Sequence, residues 1–290
     1  MESETPLVSV LMTAYNREKF IVEAIESILA STYSNFELIV VDDCSHDNTV
    51  EIAKSYAHND NRISVYINEK NLGDYPNRNK AATYARGKYL KYVDSDDKLF
   101  DFSLQYCVDQ MEKYPEAAIG MLFFNAAFLS EDSVCWDSEK IIRSHFFGSS
   151  CLSIGPSGSI IRRDKFEEIR GFDARFGVAS DNYFNIKLAA LYPVVLLPKV
   201  FLFYREHEGQ EQHNKKSYLK YGYLYFKELL EKMQLPLTKS EIRFLSKKLQ
   251  KRFAINLTQF LIKTRDIKSV IEIMKVTNFK LSDLITGYFK

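Results

Sequence analysis

Long apolar runs and paired cysteines are both missing from this sequence. No stretch of about 18 apolar residues occurs, so no transmembrane helix is predicted. The first residues lack the basic-then-apolar pattern of a signal peptide. The four cysteines lie far apart, without the paired spacing typical of a zinc site. We therefore expect a reduced, cytoplasmic protein in which the cysteines are small core residues.

Glycine is scarce where a phosphate-binding loop would need it. Only 11 of the 290 residues are glycine, and the segment 13–17 after the first predicted strand contains none. The glycine patterns of the P-loop and of the dinucleotide-binding fold are therefore absent at that position. This absence argues against ATP-binding and dinucleotide-binding sites of those two classes.

The net charge of +1 conceals an uneven distribution. Residues 215–290 contain 17 Lys/Arg and 6 Asp/Glu, whereas residues 1–214 contain 22 and 32. We predict two parts, an acidic body over 1–214 and a basic helical extension over 215–290. The acidic body would repel nucleic acid, and no nucleic-acid-binding module is present, so no nucleic-acid partner is expected.

Short apolar runs alternate with amphipathic runs over the first hundred residues. This alternation predicts an α/β protein with a parallel sheet and helices on both faces. The predicted strands cover 7–12, 36–41, 63–67 and 89–93, and the predicted helices cover 18–30, 47–56 and 77–86. In such sheets, ligands bind beyond the carboxyl ends of the strands.

Acidic side chains follow two of these strands. Asp94, Asp96 and Asp97 surround Ser95 after the fourth strand, and carboxylates this close need a cation or hydrogen-bond donors. Magnesium and manganese take oxygen ligands and bridge to phosphates, although a solvated acidic turn is the alternative. After the second strand, Asp42–Asp43 would either form an Asx-type turn or cap, or accept a hydrogen bond from a base or ribose.

Three further residues are candidates for chemistry. Arg78 would pair with a diphosphate, or it would be an exposed arginine in the first turn of a helix. Asp181 would be a general base that takes a proton from a hydroxyl nucleophile, or Ser180 or Asp181 would cap the next helix. His207 would be a metal ligand, a phosphate donor or a surface histidine.

Six segments together, in this order, resemble glycosyltransferase family 2. They are VSVLMTAYNR (8–17), FELIVVDDCSHDNT (36–49), NLGDYPNRNKA (71–81), GKYLKYVDSDD (87–97), 157–163 with the Gly-Phe-Asp of 171–173, and YREHEG (204–209). The resemblance covers roughly residues 6–210. It implies the GT-A fold, which has a Rossmann-like, mostly parallel sheet flanked by helices, here followed by the C-terminal helical extension.

The resemblance also implies roles for the candidates. Thr13 and Tyr15 would line the base pocket, with Arg17 at the same edge, and Asp43 would bind the base, usually uracil. Arg78 would approach the nucleotide, Asp94 and Ser95 the ribose or donor sugar, and Asp96 would hold a divalent manganese or magnesium ion. Asp181 would be the catalytic base, and His207 a further metal or diphosphate ligand.

The implied activity is inverting transfer of a hexose or N-acetylhexosamine from a nucleoside diphosphate sugar, with a UDP-sugar expected. The acceptor would be a hydroxyl of a glycan or a lipid-linked glycan in bacterial surface polysaccharide synthesis. Two features depart from the family pattern: Ser180 replaces the usual Glu before the base, and the Gln-x-x-Arg-Trp segment of processive polymerases is absent. A non-catalytic nucleotide-sugar-binding module and a sugar nucleotidylyltransferase are the alternatives. The latter requires a Gly-rich, Arg-containing loop that residues 13–17 do not supply.

The basic extension lies outside the strong resemblance. Its cluster Lys247, Lys248, Lys251 and Arg252 would contact an anionic membrane surface or another subunit. Alternatively, it is the solvated face of a helix that packs through Phe244, Leu249, Phe253 and Leu257. A membrane contact would place the cytoplasmic protein at the inner face of the membrane.

Overall fold

The computed structural model describes residues 7–123, 132–206 and 214–284. Its strands in chain order are β1 (Val8–Ala14), β2 (Phe36–Asp42), β3 (Ile63–Ile67), β4 (Tyr89–Tyr92), β5 (Lys98–Leu99), β6 (Ile119–Leu122), β7 (Val134–Trp136), β8 (Ser159–Arg162), β9 (Val194–Leu197) and β10 (Leu202–Phe203).

Helices follow most of the strands and then form the C-terminal part of the described chain. They are α1 (Ile21–Leu29), α2 (Thr49–Asn59), α3 (Asp74–Thr83), α4 (Ser103–Glu112), α5 (Ser138–Phe147), α6 (Arg163–Glu168), α7 (Ser180–Ala189), α8 (Lys215–Lys232), α9 (Lys239–Thr264) and α10 (Ile267–Thr277). Short 3-10 helices cover Pro156–Gly158 and Ala174–Ala179.

The central sheet has eight strands in the order β3-β2-β1-β4-β8-β6-β9-β7. The pairs β1–β2, β1–β4, β2–β3 and β6–β9 are parallel. The strand β8 runs antiparallel between β4 and β6, and β7 is an antiparallel edge strand on β9. The prediction of a mostly parallel sheet flanked by helices is confirmed.

Two hydrophobic cores cover the two faces of this sheet. Side chains of a strand alternate between faces, so Val10 and Met12 pack with α1, α2 and α4, while Leu11 packs with α3, α5 and α7. The strands β1 and β2 are almost entirely buried. Their apolar runs are therefore the signal of a sheet that is covered on both faces.

Several local predictions were wrong in detail. The third helix was predicted to begin at residue 77, but α3 already begins at Asp74, since proline is tolerated in the first turn of a helix. The strand β7 and helix α5 form in a region that the sequence pattern left uninterpreted. Cys107 and Cys151 are buried, as expected, whereas Cys44 and Cys135 are only partly buried.

The C-terminal helices pack on the sheet-containing body. The Tyr221 ring of α8 lies so close to Gly177 that an added Cβ would be 2.6 Å from it, and Phe226 stacks on Phe146 of α5 at 5.4 Å. Helix α9 begins with a capping box, and it packs against α8 and α10 around a third core. Across the described residues, no helix has the length and apolarity needed to cross a membrane. The division into 1–214 and 215–290 stays a prediction.

Candidate active site

A cavity of about 810 Å³ opens beyond the carboxyl ends of β1, β2 and β4. It brings together every predicted nucleotide-sugar-binding side chain and the predicted metal ligand Asp96. Those residues are Thr13, Tyr15, Arg17, Asp43, Arg78, Asp94, Ser95 and Asp96. The sequence pattern thus located the edge of the sheet at which these side chains meet.

The ends of β1 and β4 are joined by two contacts. The Arg17 Nε donates to Asp96 Oδ2 at 3.1 Å, and the Ser95 hydroxyl donates to the Thr13 carbonyl at 2.9 Å. The Asp96 side chain is only 11% exposed. Arg17 therefore supplies positive charge to a carboxylate that sequence reasoning assigned to a metal.

The two acidic residues at the carboxyl end of β2 make different contacts. Asp42 accepts hydrogen bonds from the backbone N–H and hydroxyl of Ser45, three residues further on, so its role is to hold the local turn, which is the structural alternative that the sequence allowed. Asp43 lines the cavity, and its carboxylate accepts from Asn68 Nδ2, Leu72 N and Gly73 N at 2.7, 2.8 and 2.9 Å. Asp43 consequently holds the loop that precedes α3.

Arg78 is buried in α3, so the interpretation as an exposed first-turn arginine is wrong. Its Nη2 donates to Asp94 at 2.6 Å and its Nε donates to Asp74 at 2.7 Å. Burial alone would lower the pKa of the guanidinium, but Asp74 and Asp94 raise it well above its usual value. The third nitrogen, Nη1, is buried and has no hydrogen-bond partner.

In the acidic loop after β4, the carboxylates lie close enough to repel one another. Burial raises the pKa of Asp94, but Arg78 reverses the effect and lowers it overall. Asp97 lies behind the cavity wall, where burial and the nearby Asp94 raise its pKa to about 7. One Asp97 oxygen accepts from Arg205 N at 2.9 Å, while the other is buried without a partner. Ion pairing and protonation both reduce the repulsion in this loop.

Asp181 lies in the first turn of α7, beside the wall of the same cavity. A Cβ added at Gly155, which lines the cavity, would be 4.0 Å from Asp181 Oδ2. Burial raises the pKa of Asp181 to about 6, against the hydrogen bond from Asn182 N. Neither predicted cap is present, because α7 has Ala179 at its N-cap without a side-chain hydrogen bond. Ser180 instead donates to the Asp173 and Gly177 carbonyls.

Several cavity residues were missed by the sequence analysis. Asp74 and Tyr75 of α3 line the cavity, as do Tyr218 and Tyr221 of α8. The four-residue spacing of Asp74 and Arg78 was a usable signal, and so was the run of tyrosines at the start of the basic extension. His207 lies outside the described residues.

Metal-binding side chains are sparse around the cavity. In the part of the chain covered by the structure, no group of three or more His, Cys, Asp or Glu residues is placed to hold a metal ion. Asp94 and Asp96 lie on the cavity wall, each paired with an arginine.

Solved structures share this fold and define its class. S. aureus TarS 1–349 in complex with UDP-GlcNAc matches with a TM-score of 0.74 and 20% identity, over 97% of this chain and 81% of that chain. The mannosyltransferase PcManGT from Pyrobaculum calidifontis, in complex with GDP-Man and Mn²⁺, matches with a TM-score of 0.64 and 14% identity, over 99% and 87%. At these identities the similarity establishes the fold, and it is the glycosyltransferase GT-A fold expected from the sequence.

Sequence comparisons establish the family. Residues 9–170 match the family model described as glycosyl transferase family 2. An uncharacterized glycosyltransferase of Methanocaldococcus jannaschii is 36% identical over 203 residues, 64% of this chain and 69% of that protein. The putative teichuronic acid biosynthesis glycosyltransferase TuaG of Bacillus subtilis is 35% identical over 137 residues, so that the match spans 47% of this chain and about half, 53%, of TuaG. The chain belongs to glycosyltransferase family 2, and the protein is a glycosyltransferase.

Proposed function

We propose that this glycosyltransferase moves one sugar from a nucleoside diphosphate sugar, a UDP-sugar, to a hydroxyl of a glycan or lipid-linked acceptor, with inversion. The observation that carries the proposal is a single cavity that joins Asp43, Arg78 and Asp96 to the wall beside Asp181. The side chains proposed to bind the donor and the side chain proposed to accept the proton thus lie around one space. The complexes of TarS with UDP-GlcNAc and of PcManGT with GDP-Man support a nucleotide-sugar donor.

The donor would lie along the ends of β1, β2 and β4. Thr13 and Tyr15 flank the base, and Asp43 retains acceptor capacity beyond its three hydrogen bonds, since a carboxylate offers about four lone-pair sites. Arg78 lines the cavity and pairs with the diphosphate, because a guanidinium matches phosphate oxygens. Asp94 and Ser95 adjoin the ribose and the donor sugar.

Among the described residues, Asp96 is suited to hold a divalent metal at this site. Magnesium and manganese commonly bind through one or two carboxylates, substrate phosphates and water, and Asp96 provides such a carboxylate on the cavity wall. The described side chains do not form a cage of three ligands. Asp96 would therefore hold a metal that takes most of its ligands from the diphosphate and water. When bound, that metal neutralises charge on the leaving diphosphate.

Asp181 performs the proton transfer in this scheme. The acceptor oxygen forms a bond to the anomeric carbon while the bond from that carbon to the diphosphate oxygen breaks, and the hydroxyl proton moves to the Asp181 carboxylate. A pKa of about 6 leaves the carboxylate mostly ionised at neutral pH and raises its basicity. The hydroxyl attacks opposite the leaving group, so the anomeric centre inverts.

The cellular setting follows from the acceptor. We propose that the enzyme works in the cytoplasm, at the inner face of the membrane, on the precursors of a surface polysaccharide. The name of TuaG, a teichuronic acid biosynthesis glycosyltransferase, supports this class of product. The basic side chains Lys247 and Lys251 are exposed on α9 and are suited to an anionic surface.

The proposal is tested by thermal unfolding with UDP, GDP, dTDP and CDP, each with and without manganese. A ligand that binds only the folded state raises the unfolding midpoint. We expect a manganese-dependent rise with UDP, and a smaller rise with UDP for Asp96→Asn. Absence of a shift with all four nucleotides in a folded sample would contradict the proposal. Asp60→Asn is the matched control, because that carboxylate pairs with Arg62 away from the cavity.

A further inference from the structure

A second cavity, of about 420 Å³, lies between α5, α8 and α9. Its walls include several aromatic side chains. Phe226 of α8 stacks on Phe146 at 5.4 Å, and Tyr223 stacks on Phe253 of α9 at 4.1 Å. These pairs fix the spacing of the three helices and leave an open volume between them. A cavity with aromatic walls and a few polar groups is the usual form of a small-ligand site.

The charged side chains that line this cavity are both positive. Lys248 and Arg252 are four residues apart on α9, so both lie on the face that lines the cavity. Both side chains are exposed at its rim, and neither forms an ion pair with a described residue. None of the residues lining the cavity is an Asp or a Glu. The cavity therefore favours an anion.

This basic cavity adjoins the candidate active site. Tyr218 of α8 lines both cavities. On the same helix, Tyr221 lines the candidate active site and Gly222 lines the second cavity. Burial raises the pKa of the intervening Tyr225 to about 12, with Asp181 raising it and Arg252 lowering it. Tyr225 is thus within electrostatic reach of both charged groups, and α8 forms the wall between the proton acceptor and the cations.

A glycine keeps this cavity open. Gly222 lies within α8, and a Cβ added there would meet nothing within 4 Å. Glycine disfavours a helix relative to alanine, and Gly222 has neither a left-handed backbone nor a close neighbour that would require it. The helix therefore leaves empty space at the one position on its cavity face that has no side chain.

We propose that the cavity between α5, α8 and α9 binds an anionic group of the acceptor, a phosphate or carboxylate on a part of the glycan that extends away from the reacting hydroxyl and past Tyr218. This inference rests on the proposed function, because it assumes that the acceptor reaches Asp181. Lys248 and Arg252 bind the anion, and the aromatic walls contact the sugar or polyol that carries it.

Binding of short oligomers to the full chain saturated with UDP and manganese tests the proposal. The probes are a glycerol-phosphate oligomer, an oligogalacturonate and neutral maltotetraose, measured by calorimetry. We expect one of the two anionic oligomers to bind and maltotetraose not to bind. Which anionic oligomer binds distinguishes a phosphate from a carboxylate. The affinity should fall as salt rises, since exposed charges are screened.

Matched variants separate the cavity from the surface charge. The double variant Lys248→Ala/Arg252→Ala should lower the affinity for the anionic oligomer by about tenfold or more, because charge-assisted hydrogen bonds are lost. Gly222→Leu should lower it by a similar factor, because the leucine side chain fills the cavity. Lys247→Ala/Lys251→Ala removes the same charge outside the cavity lining, and Gly222→Ala leaves most of the space, so both controls should bind like the parent protein. The thermal shift with UDP should be the same in all four variants.

Two results would overturn the inference. The first is equal binding of maltotetraose, and the second is absence of binding by either anionic oligomer. In the second case, an equal loss of binding to vesicles of anionic phospholipid in both double variants would assign the charge to a membrane surface. In each case an intact UDP shift in the parent protein leaves the proposed function standing, whereas a missing UDP shift would remove that function itself.

Discussion

Arg17 and Asp96 form an ion pair across the mouth of the cavity, with 3.1 Å between Arg17 Nε and Asp96 Oδ2. The carboxylate that would hold a metal is thus already neutralised by a guanidinium from the neighbouring strand end. A metal that binds Asp96 must compete with Arg17 for it. Metal binding and the position of Arg17 are therefore coupled.

Replacing Arg17 should strengthen metal binding. A partly exposed ion pair contributes about 0.2–1 kcal/mol, so Arg17→Met should lower the apparent Kd of Mn²⁺ in the presence of UDP by about two- to fivefold. The measurement is titration of Mn²⁺ followed by water-proton relaxation. Arg62→Met, which breaks the distant pair with Asp60, is the control and should leave the Kd unchanged. An unchanged or weaker Mn²⁺ affinity in Arg17→Met would contradict the proposal that Asp96 binds the metal.

Arg78 should be important for both stability and donor binding. Arg78→Met leaves Asp74 and Asp94 without their shared cation, and because both carboxylates are partly exposed the loss costs about 1–3 kcal/mol of unfolding free energy. Arg78→Lys keeps the charge but loses the planar fork. Urea unfolding should show a smaller loss for lysine than for methionine, while calorimetry should show weakened UDP binding for both. If folded Arg78→Lys binds UDP with the affinity of the parent protein, the proposal that Arg78 pairs with the diphosphate is contradicted.

Gly177 should control the position of Tyr221 at the cavity wall. Its φ of +48° favours glycine, and an added Cβ would lie 2.6 Å from the Tyr221 ring. Gly177→Ala should cost about 1–3 kcal/mol of unfolding free energy. Gly222→Ala in α8 should instead gain about 0.5–1 kcal/mol, since helix propensity improves without a clash. Equal effects of the two substitutions in thermal unfolding would contradict this assignment.

Asp181 should make the fold less stable as pH rises. Its folded-state pKa of about 6 lies above the usual value of 3.8, so the folded state favours the protonated carboxyl. That contribution is complete below about pH 4 and is lost as pH rises through 6. Asp181→Asn should therefore raise the free energy of unfolding at pH 8 by about 3 kcal/mol, with the gain shrinking toward pH 5.

Asp164 provides a control of opposite sign for that pH dependence. Burial would raise the pKa of Asp164, but hydrogen bonding to Arg162 lowers it overall. Its ionised form stabilises the fold at neutral pH, and Asp164→Asn should lower the unfolding midpoint there. The unfolding midpoint of Asp181→Asn could instead stay below that of the parent protein from pH 5 to pH 8. That result would show that burial does not destabilise the ionised Asp181 carboxylate.

The sequence was sufficient to predict the first half of the sheet and the residues at its edge. Those elements follow one another along the chain, and residues such as Asp43 and Asp96 directly follow buried strands. Insertion of β8 between β4 and β6 depends on long-range pairing, which local periodicity does not reveal. The placement of Tyr218 and Tyr221 depends on how α8 packs on the body. The elevated pKa of Asp181 arises from burial, which no spacing pattern predicts.

The most direct test of the account compares Asp181→Asn with the parent protein in release of UDP from UDP-GlcNAc, alongside UDP binding. The account predicts a loss of turnover of at least about a hundredfold, with UDP binding retained and with Asp164→Asn as active as the parent. In the parent protein, turnover should fall below about pH 6 as the carboxylate takes up a proton. Turnover of Asp181→Asn within a few fold of the parent, with binding intact, would contradict the assignment of Asp181 as the catalytic base.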